Sequence, residues 1–263
     1  MLDFDKYERL TFERQDNGVL IVRINRPEKY NAADKVMLKE FVTVWPDISD
    51  DPETRVAVVT GTGKAFCAGG DLQEELDKVG KYAEVVTSHE EARKLVENMI
   101  ACDKPIISAI NGPAAGAGLV VALMADISII GEDIEFTDGH INIGLAAGDH
   151  AALLWPLLCG MAKAKYYLLT ADRMDGRTAD ALGLVSKAVP RADVLDEATA
   201  IAHRLATGPQ QAIKWTRRSL NSWLRLAMPA FEASLAMEMI TLFSDDVREG
   251  ITAFLERRDP EFD

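Results

Sequence analysis

Residues 136–150, FTDGHINIGLAAGDH, hold two of the chain's four histidines and two aspartates among glycines and small apolar residues. An imidazole beside a carboxylate is an acid/base device: the carboxylate fixes the tautomer, raises basicity and stabilises the imidazolium formed on proton abstraction. His140 with Asp149 is the first candidate pair, able to activate water. His150, adjacent to Asp149, is a further candidate for the same pocket, and Asp138, two residues before His140, is a candidate either to orient it or to line the pocket. A structural hydrogen-bonded pair is the competing reading of His140 and Asp149. The spacing of these four residues matches no standard ligand pattern, so no metal is expected. His89 and His203 lie in polar helical segments and read as surface residues.

Two glycine-rich turns offer a second kind of chemistry. GTGKAFCAGGD (61–71) follows an apolar run, and its glycines let backbone N–H groups approach a ligand. It is not a phosphate-binding P-loop, because Gly63-Lys64 is followed by Ala65 rather than Ser or Thr. NGPAAGAG (111–118) is a second such turn and opens a helix, where free N–H groups and the dipole favour developing negative charge. Two donor-rich turns from separate strands are what an oxyanion hole requires.

The elements that must position these groups are legible from periodicity. VLIVRIN (19–25), RVAVVT (55–60), PIISAI (105–110), DISIIG (126–131) and LVSKAV (184–189) read as buried strands. Met37, Phe41, Trp45 and Ile48 recur at helical spacing after Asp34 as candidate N-cap, with Pro46 disturbing the last turn. Further helices are expected near 84–100, 119–125, 149–159 and 162–170. From Asp193 the pattern is helical nearly to the end, with breaks at Gly208-Pro209, Pro229 and Ser244-Asp245. The division expected is an α/β core over 1–192 holding the active site, then a helical region over 193–263.

Composition narrows the function classes. With 29 Lys and Arg against 42 Asp and Glu, a net charge of −13 opposes non-specific attraction to nucleic acid or anionic membrane. No apolar run reaches the roughly 18 residues needed to cross a bilayer. The N-terminal stretch mixes acids and bases unlike a signal peptide, so a cytoplasmic location is expected. Cys67, Cys102 and Cys159 are odd in number and widely spaced, and read as reduced thiols. There is no G-x-S-x-G, which argues against a Ser-His-Asp hydrolase.

NRPEKYNA (25–32), GTGKAFCAGGDL (61–72), KPIISAINGPAAGAG (104–118), ADISII (125–130) and FSDDVREGITAFLERRDPEF (243–262), in one order and register, resemble the crotonase family of enoyl-CoA hydratases and isomerases. The resemblance implies a spiral of ββα units followed by a helical trimerisation region, with assembly as a homotrimer or dimer of trimers. It places the oxyanion hole at the backbone N–H groups of Gly70 and Ala117, around the carbonyl of a substrate that is usually a CoA thioester. It also implies CoA contacts from Arg26 and Lys29, from the backbone near Ala65, Phe66 and Ala68, and from Phe254 and Arg258 of a neighbouring subunit. CoA enters as part of the substrate, and no separate cofactor is expected.

The departures decide the chemistry. Where hydratases of this family carry their two catalytic glutamates, this chain has Val120 and His140. Valine transfers no protons, so two-glutamate hydration does not carry over. The segment 148–170 resembles instead the branch that hydrolyses carbon–carbon bonds of β-diketones, the oxocamphor hydrolase type, which has a His and an Asp at this spacing. That branch has a further histidine where this chain has Ala117, so its role with the second carbonyl has no obvious holder. Hydrolytic cleavage of a 1,3-dicarbonyl, on an acyl-CoA, is the favoured reading, with a free β-diketone as the rival substrate. Hydration or isomerisation of an enoyl-CoA by the same His/Asp pair and a non-catalytic scaffold are the alternatives. The acidic surface, with no basic stripe, argues against RNA.

Overall fold

The structure, a computed structural model, describes residues 2–262. Its elements in chain order are β1 (Leu10–Arg14), β2 (Val19–Ile24), α1 (Lys35–Asp50), β3 (Val56–Gly61), α2 (Leu72–Lys78), α3 (Tyr82–Ala101), β4 (Ile106–Ile110), α4 (Ala117–Leu123) and β5 (Ile127–Gly131). There follow β6 (Glu135–Phe136), α5 (Ala151–Cys159), α6 (Met161–Thr170), β7 (Met174–Asp175), α7 (Gly176–Leu182), β8 (Lys187–Val189), α8 (Val194–Ala206), α9 (Gln210–Thr241) and α10 (Asp245–Glu256). Six strands form one sheet in the order β1-β2-β3-β4-β5-β8, and β6 pairs with β7. Only the β1–β2 pair is antiparallel within the six.

The β-branched runs make this sheet because both of its faces are covered. In β2, Leu20, Val22 and Ile24 face one apolar core, and Val19 and Ile21 face the other. The first core is filled by Met37, Phe41, Trp45 and Ile48 of α1 and by Val96 and Met99 of α3. The second is closed by α8, whose Val194, Ala198, Ala202 and Ala206 lie on one stripe against the sheet. Small alanines there let the helix approach closely. α8 is thus built into the core, and the division at 192/193 marks a change of element type across a shared interior.

The second strand of each expected ββα unit is reduced to isolated parallel bridges, Ala33 with Gly70 and Cys67 with Ala114, and to the short β6. The Cys67–Ala114 bridge joins the two glycine-rich turns side by side, and the Ala33–Gly70 bridge ties the first of them to the segment that leads into α1. Asp34 caps α1 by accepting from the Met37 N–H. The helix passes through Pro46 without breaking: the Val42 carbonyl, denied its intrahelical donor by the proline, accepts from Asn98 Nδ2 at 2.8 Å. The expected break at Pro229 is likewise absent, and α9 runs unbroken from Gln210 to Thr241. Pro229 sits on an exposed face, where water can serve the carbonyl left without a donor. β1 and α2 are too short and too polar to have shown in the periodicity, and the strand expected at 184–189 shrinks to β8.

α9 is fixed by Arg217, whose guanidinium is buried. Its Nε donates to Asp126 Oδ2 at 2.7 Å and its Nη2 to the Met99 carbonyl at 2.8 Å, with further bonds to the carbonyls of Ile100 and Cys102. Those carbonyls end α3, so one side chain both caps α3 and sets the position of α9. The consequence for the site is that α9 delivers Glu238 to it. Among the described residues no single helix is long and apolar enough to cross a membrane.

Candidate active site

The two turns are zipped together by their backbones. Cys67 N–H donates to the Pro113 carbonyl at 3.3 Å, and Ala115 N–H donates to the Cys67 carbonyl at 3.0 Å. The fit needs glycine at 118, where a Cβ would stand 2.3 Å from the Cys67 carbonyl oxygen. Asn31 staples the first turn from outside: its buried Nδ2 lies 2.9–3.2 Å from the carbonyls of Thr62, Ala65 and Phe66. In this arrangement the N–H groups of Gly70 and Ala117 have no hydrogen-bond partner among the described residues. Both residues line a cavity of about 460 Å³, together with Ala68, Val120, Asp138, His140, Asp149 and Phe254.

His140 opens a turn of 3₁₀ helix after Gly139, whose φ of 74° swings the chain so that Asp138 and His140 meet. His140 Nδ1 is 2.7 Å from Asp138 Oδ1, and its Nε2 is 3.8 Å from Asp149 Oδ2. Both aspartates named from the sequence thus face His140, one at each ring nitrogen. Asp138 orients the imidazole, and Asp149 stands beyond the other nitrogen, across a gap too long for a direct hydrogen bond.

His150 is fully buried and does not line the cavity. The expectation that it belongs to the pocket is therefore corrected: it precedes the first turn of α5 and turns its ring back onto its neighbour. Its Nδ1 is 2.7 Å from Asp149 Oδ1, and its Nε2 accepts from Trp155 Nε1 at 3.4 Å. An indole N–H can only donate, so Nε2 carries the lone pair and Nδ1 carries the proton. His150 thus holds Asp149 by donating from Nδ1. Asp138, His140 and Asp149 bring ligand-type atoms within 4.8 Å of one another. One oxygen of each aspartate is already engaged by an imidazole Nδ1, so the arrangement is two hydrogen-bonded Asp/His pairs facing each other across a 3.8 Å gap.

Charge within the chain is strongly redistributed. Burial works against the imidazolium of His140, but the carboxylates of Asp138 and Asp149 outweigh it and raise its pKa well above 6.5. Asp149 is buried, yet His150 and His140 hold its carboxyl well below the usual range. Glu238 of α9, also lining the cavity, is pushed up to about 8 by burial, with Asp149 and Asp138 adding to the effect and His140 opposing it. These shifts favour the imidazolium at His140 and the carboxylate at Asp149, and they keep Glu238 a neutral carboxylic acid at neutral pH. Asp138 Oδ2 and Glu238 Oε2 are buried without a partner among the described residues. Glu238 was not singled out from sequence, since one acid on a long amphipathic helix carries no local signal. The same holds for Glu75, Lys78 and Glu91 of α2 and α3, which also line the cavity.

The residues expected to meet CoA divide. Ala68 and Phe254 line the cavity, whereas Ala65 and Phe66 are buried beneath the turn and belong to its support. Arg26 does not line the cavity, and its guanidinium is engaged: Nη1 bonds Asp71 Oδ2 and the Ala32 carbonyl, each at 2.9 Å, and Nε is 3.6 Å from Asp34. Lys29 is exposed and has no ion pair among the described residues. Arg258 is tied to Glu249 and Glu256, and with Phe254, Ile141 and Phe262 it borders a smaller surface cavity of about 310 Å³.

Paired turns with free amide N–H groups, opening on a cavity with an acid/base chain, are the arrangement of an enzyme that works on a carbonyl group. Residues 14–263 match the family described as enoyl-CoA hydratase/isomerase. The "Probable enoyl-CoA hydratase" of Rhodobacter capsulatus is 34% identical over 259 residues, covering 97% of this chain and 98% of that protein. A crystal structure of an enoyl-CoA hydratase/isomerase from Mycobacterium paratuberculosis superposes with a TM-score of 0.88 at 32% identity, covering 93% of this chain and 97% of that one. A β-diketone hydrolase from the cyanobacterium Anabaena, bound to (S)-3-oxocyclohexyl acetic acid, superposes with a TM-score of 0.84 at 32% identity, covering 91% and 96%. The chain belongs to the enoyl-CoA hydratase/isomerase family, the crotonase-fold enzymes.

Proposed function

We propose that this enzyme hydrolyses a carbon–carbon bond of a 1,3-dicarbonyl substrate presented as a CoA thioester. The observation that carries the reading is the Asp138–His140···Asp149–His150 chain beside the N–H groups of Gly70 and Ala117, with inert Val120 at the first glutamate position. One carbonyl oxygen is held by the two amides. Neutral His140, its Nδ1–H given to Asp138, takes a proton from water lying between Nε2 and Asp149. The hydroxide adds to the other carbonyl carbon and the carbon–carbon bond breaks. Its electron pair passes to the enolate in the hole, and a proton from His140 or Glu238 completes the retained product. The products are a carboxylic acid and a shortened carbonyl compound. The likeness to the Anabaena β-diketone hydrolase supports this reading.

A second reading is favoured by the relatives named enoyl-CoA hydratase and by the neutral acid at Glu238, a proton donor beside His140. There the same groups hydrate or isomerise an enoyl-CoA. Exposed Lys29 and the cavity-lining Phe254 support a CoA ester in either case. The exposed apolar side chains of Met161, Leu169, Trp223, Leu226, Met237 and Ile240 on α6 and α9 support homo-oligomeric assembly.

Crotonyl-CoA, acetoacetyl-CoA and cyclohexane-1,3-dione should be incubated side by side with the wild type and His140→Ala. The proposal expects acid release from a dicarbonyl, lost in the variant. Turnover of crotonyl-CoA alone would establish the second reading instead.

A further inference from the structure

The cavity has a second polar wall that the acid/base chain does not use. On α2, Leu72, Glu75 and Lys78 recur every three residues along one face; on α3, Ser88, Glu91, Ala92 and Leu95 share a face at i, i+3, i+4 and i+7. Lys78 is the outlier of this wall. It is a lysine only 4% exposed, lining a mainly apolar cavity. Its Nζ is 2.7 Å from Glu75 Oε1, the one hydrogen-bond partner it has among the described residues. An ammonium carries three donors. Burying one with two donors unserved is costly, and a structural i,i+3 pair on a helix gives back little.

The place of this pair gives it a use. Glu75 Oε1 lies 2.9 Å from where a Cβ on Gly70 would stand, so the ammonium is one carboxylate away from the candidate oxyanion donor. A bare carboxylate there would repel a developing oxyanion, and Lys78 neutralises it. In a 1,3-dicarbonyl the two oxygens are separated by a single carbon between the carbonyls. If one is bound at Gly70 and Ala117, its mate needs a donor on an adjoining wall. Ala117 itself, a residue with no polar side chain, cannot supply one.

We propose that Lys78, held by Glu75, is the binding site for the second oxygen of a β-oxygenated carbonyl substrate. This rests on the carbonyl-binding role proposed for Gly70 and Ala117 and names the substrate class that role serves. In the hydrolysis written above, the second oxygen is the one that becomes anionic when hydroxide adds. A fixed ammonium beside it stabilises that charge without moving. A plain acyl or enoyl chain places no acceptor there and leaves the donors of Lys78 unserved, so the same contact sets specificity.

The test compares ligands that differ in that oxygen alone: acetoacetyl-CoA against butyryl-CoA, and cyclohexane-1,3-dione against cyclohexanone, by calorimetry on the intact protein. The wild type should bind the dicarbonyl at least about tenfold more tightly in one or both pairs. The double variant Glu75→Gln/Lys78→Met should bring that ratio to within about twofold of one, and Lys78→Arg should recover most of it. Changes at the hole caused by Glu75→Gln affect both members of a pair and cancel in the ratio. If the double variant does not fold, Glu75→Gln/Lys78→Gln takes its place. A ratio near one in the wild type, a ratio unchanged in the variant, or no binding by any of the four ligands overturns the proposal. An intact, Lys78-dependent ratio without dicarbonyl turnover overturns the reaction proposed above and leaves this site standing.

Discussion

Replacing Asp138 by Asn tests which aspartate governs His140. The two side chains are of nearly equal size, so the fold is kept while one charge 2.7 Å from Nδ1 is removed. Two unit charges about 4 Å apart at an effective dielectric near 20 attract by ~4 kcal/mol, equivalent to about three pH units. Asp149 remains 3.8 Å from Nε2, so the pKa of His140 should fall while Asp149 still holds part of the upward shift. A second effect opposes catalysis. The new amide can donate to Nδ1, which moves the ring proton to Nε2 and removes the lone pair that faces the cavity. Loss of the orienting carboxylate in a comparable triad lowers kcat by roughly 10⁴, and a fall of about 10² to 10⁴ is expected here. The assays are turnover of the active substrate across pH and the nitrogen-15 shifts of the His140 ring, which report tautomer and pKa together. An Asp138→Asn enzyme within threefold of wild type, with an unshifted pH profile, would refute the reasoning and return the orienting role to Asp149.

Other consequences follow from the same geometry. His150→Phe removes the donor to Asp149 and should lower kcat about tenfold or more with KM little changed; His150→Asn, whose amide mimics the Nδ1–H, should recover most of it, and equal losses in both would point to packing alone. Glu238 titrates higher in the folded protein, about 8, than its ordinary 4.5. Its contribution to stability is therefore complete below about 4.5 and is lost as pH rises through about 8. Glu238→Gln should flatten the fall in melting temperature over that window, and an unchanged slope would deny the raised pKa. Because ionised Glu238 also raises the pKa of His140, turnover that needs neutral His140 should rise with pH, and in Glu238→Gln that limb should move to lower pH.

Much of the site was legible in the sequence because its parts are local. The glycine-rich turns stand out by composition, and His140 and Asp149 lie nine residues apart in one loop. The pairing within that loop stayed open between two aspartates. Spacing suggested Asp149 as the partner, but the left-handed Gly139 folds Asp138 back onto Nδ1. His150 looked like a pocket residue until its bond to the Trp155 indole placed it behind Asp149. Glu238 and Lys78 gave no signal, since an isolated charge on an amphipathic helix is in general a solvated one.

The sequence by itself determined the buried parallel strands, the helix that Asp34 caps, the two donor turns and the loss of proton-transfer chemistry at Val120. These follow from residue type and short-range spacing. Only the tertiary structure decided which groups share the cavity. Arg217 fixes α9 against the end of α3 and so brings Glu238 to His140. The packing of α2 beside the first turn brings the Lys78–Glu75 pair to Gly70. Burial then shifts the charges of these groups, because a carboxyl titrates according to what surrounds it, and those surroundings come from segments far apart in the chain.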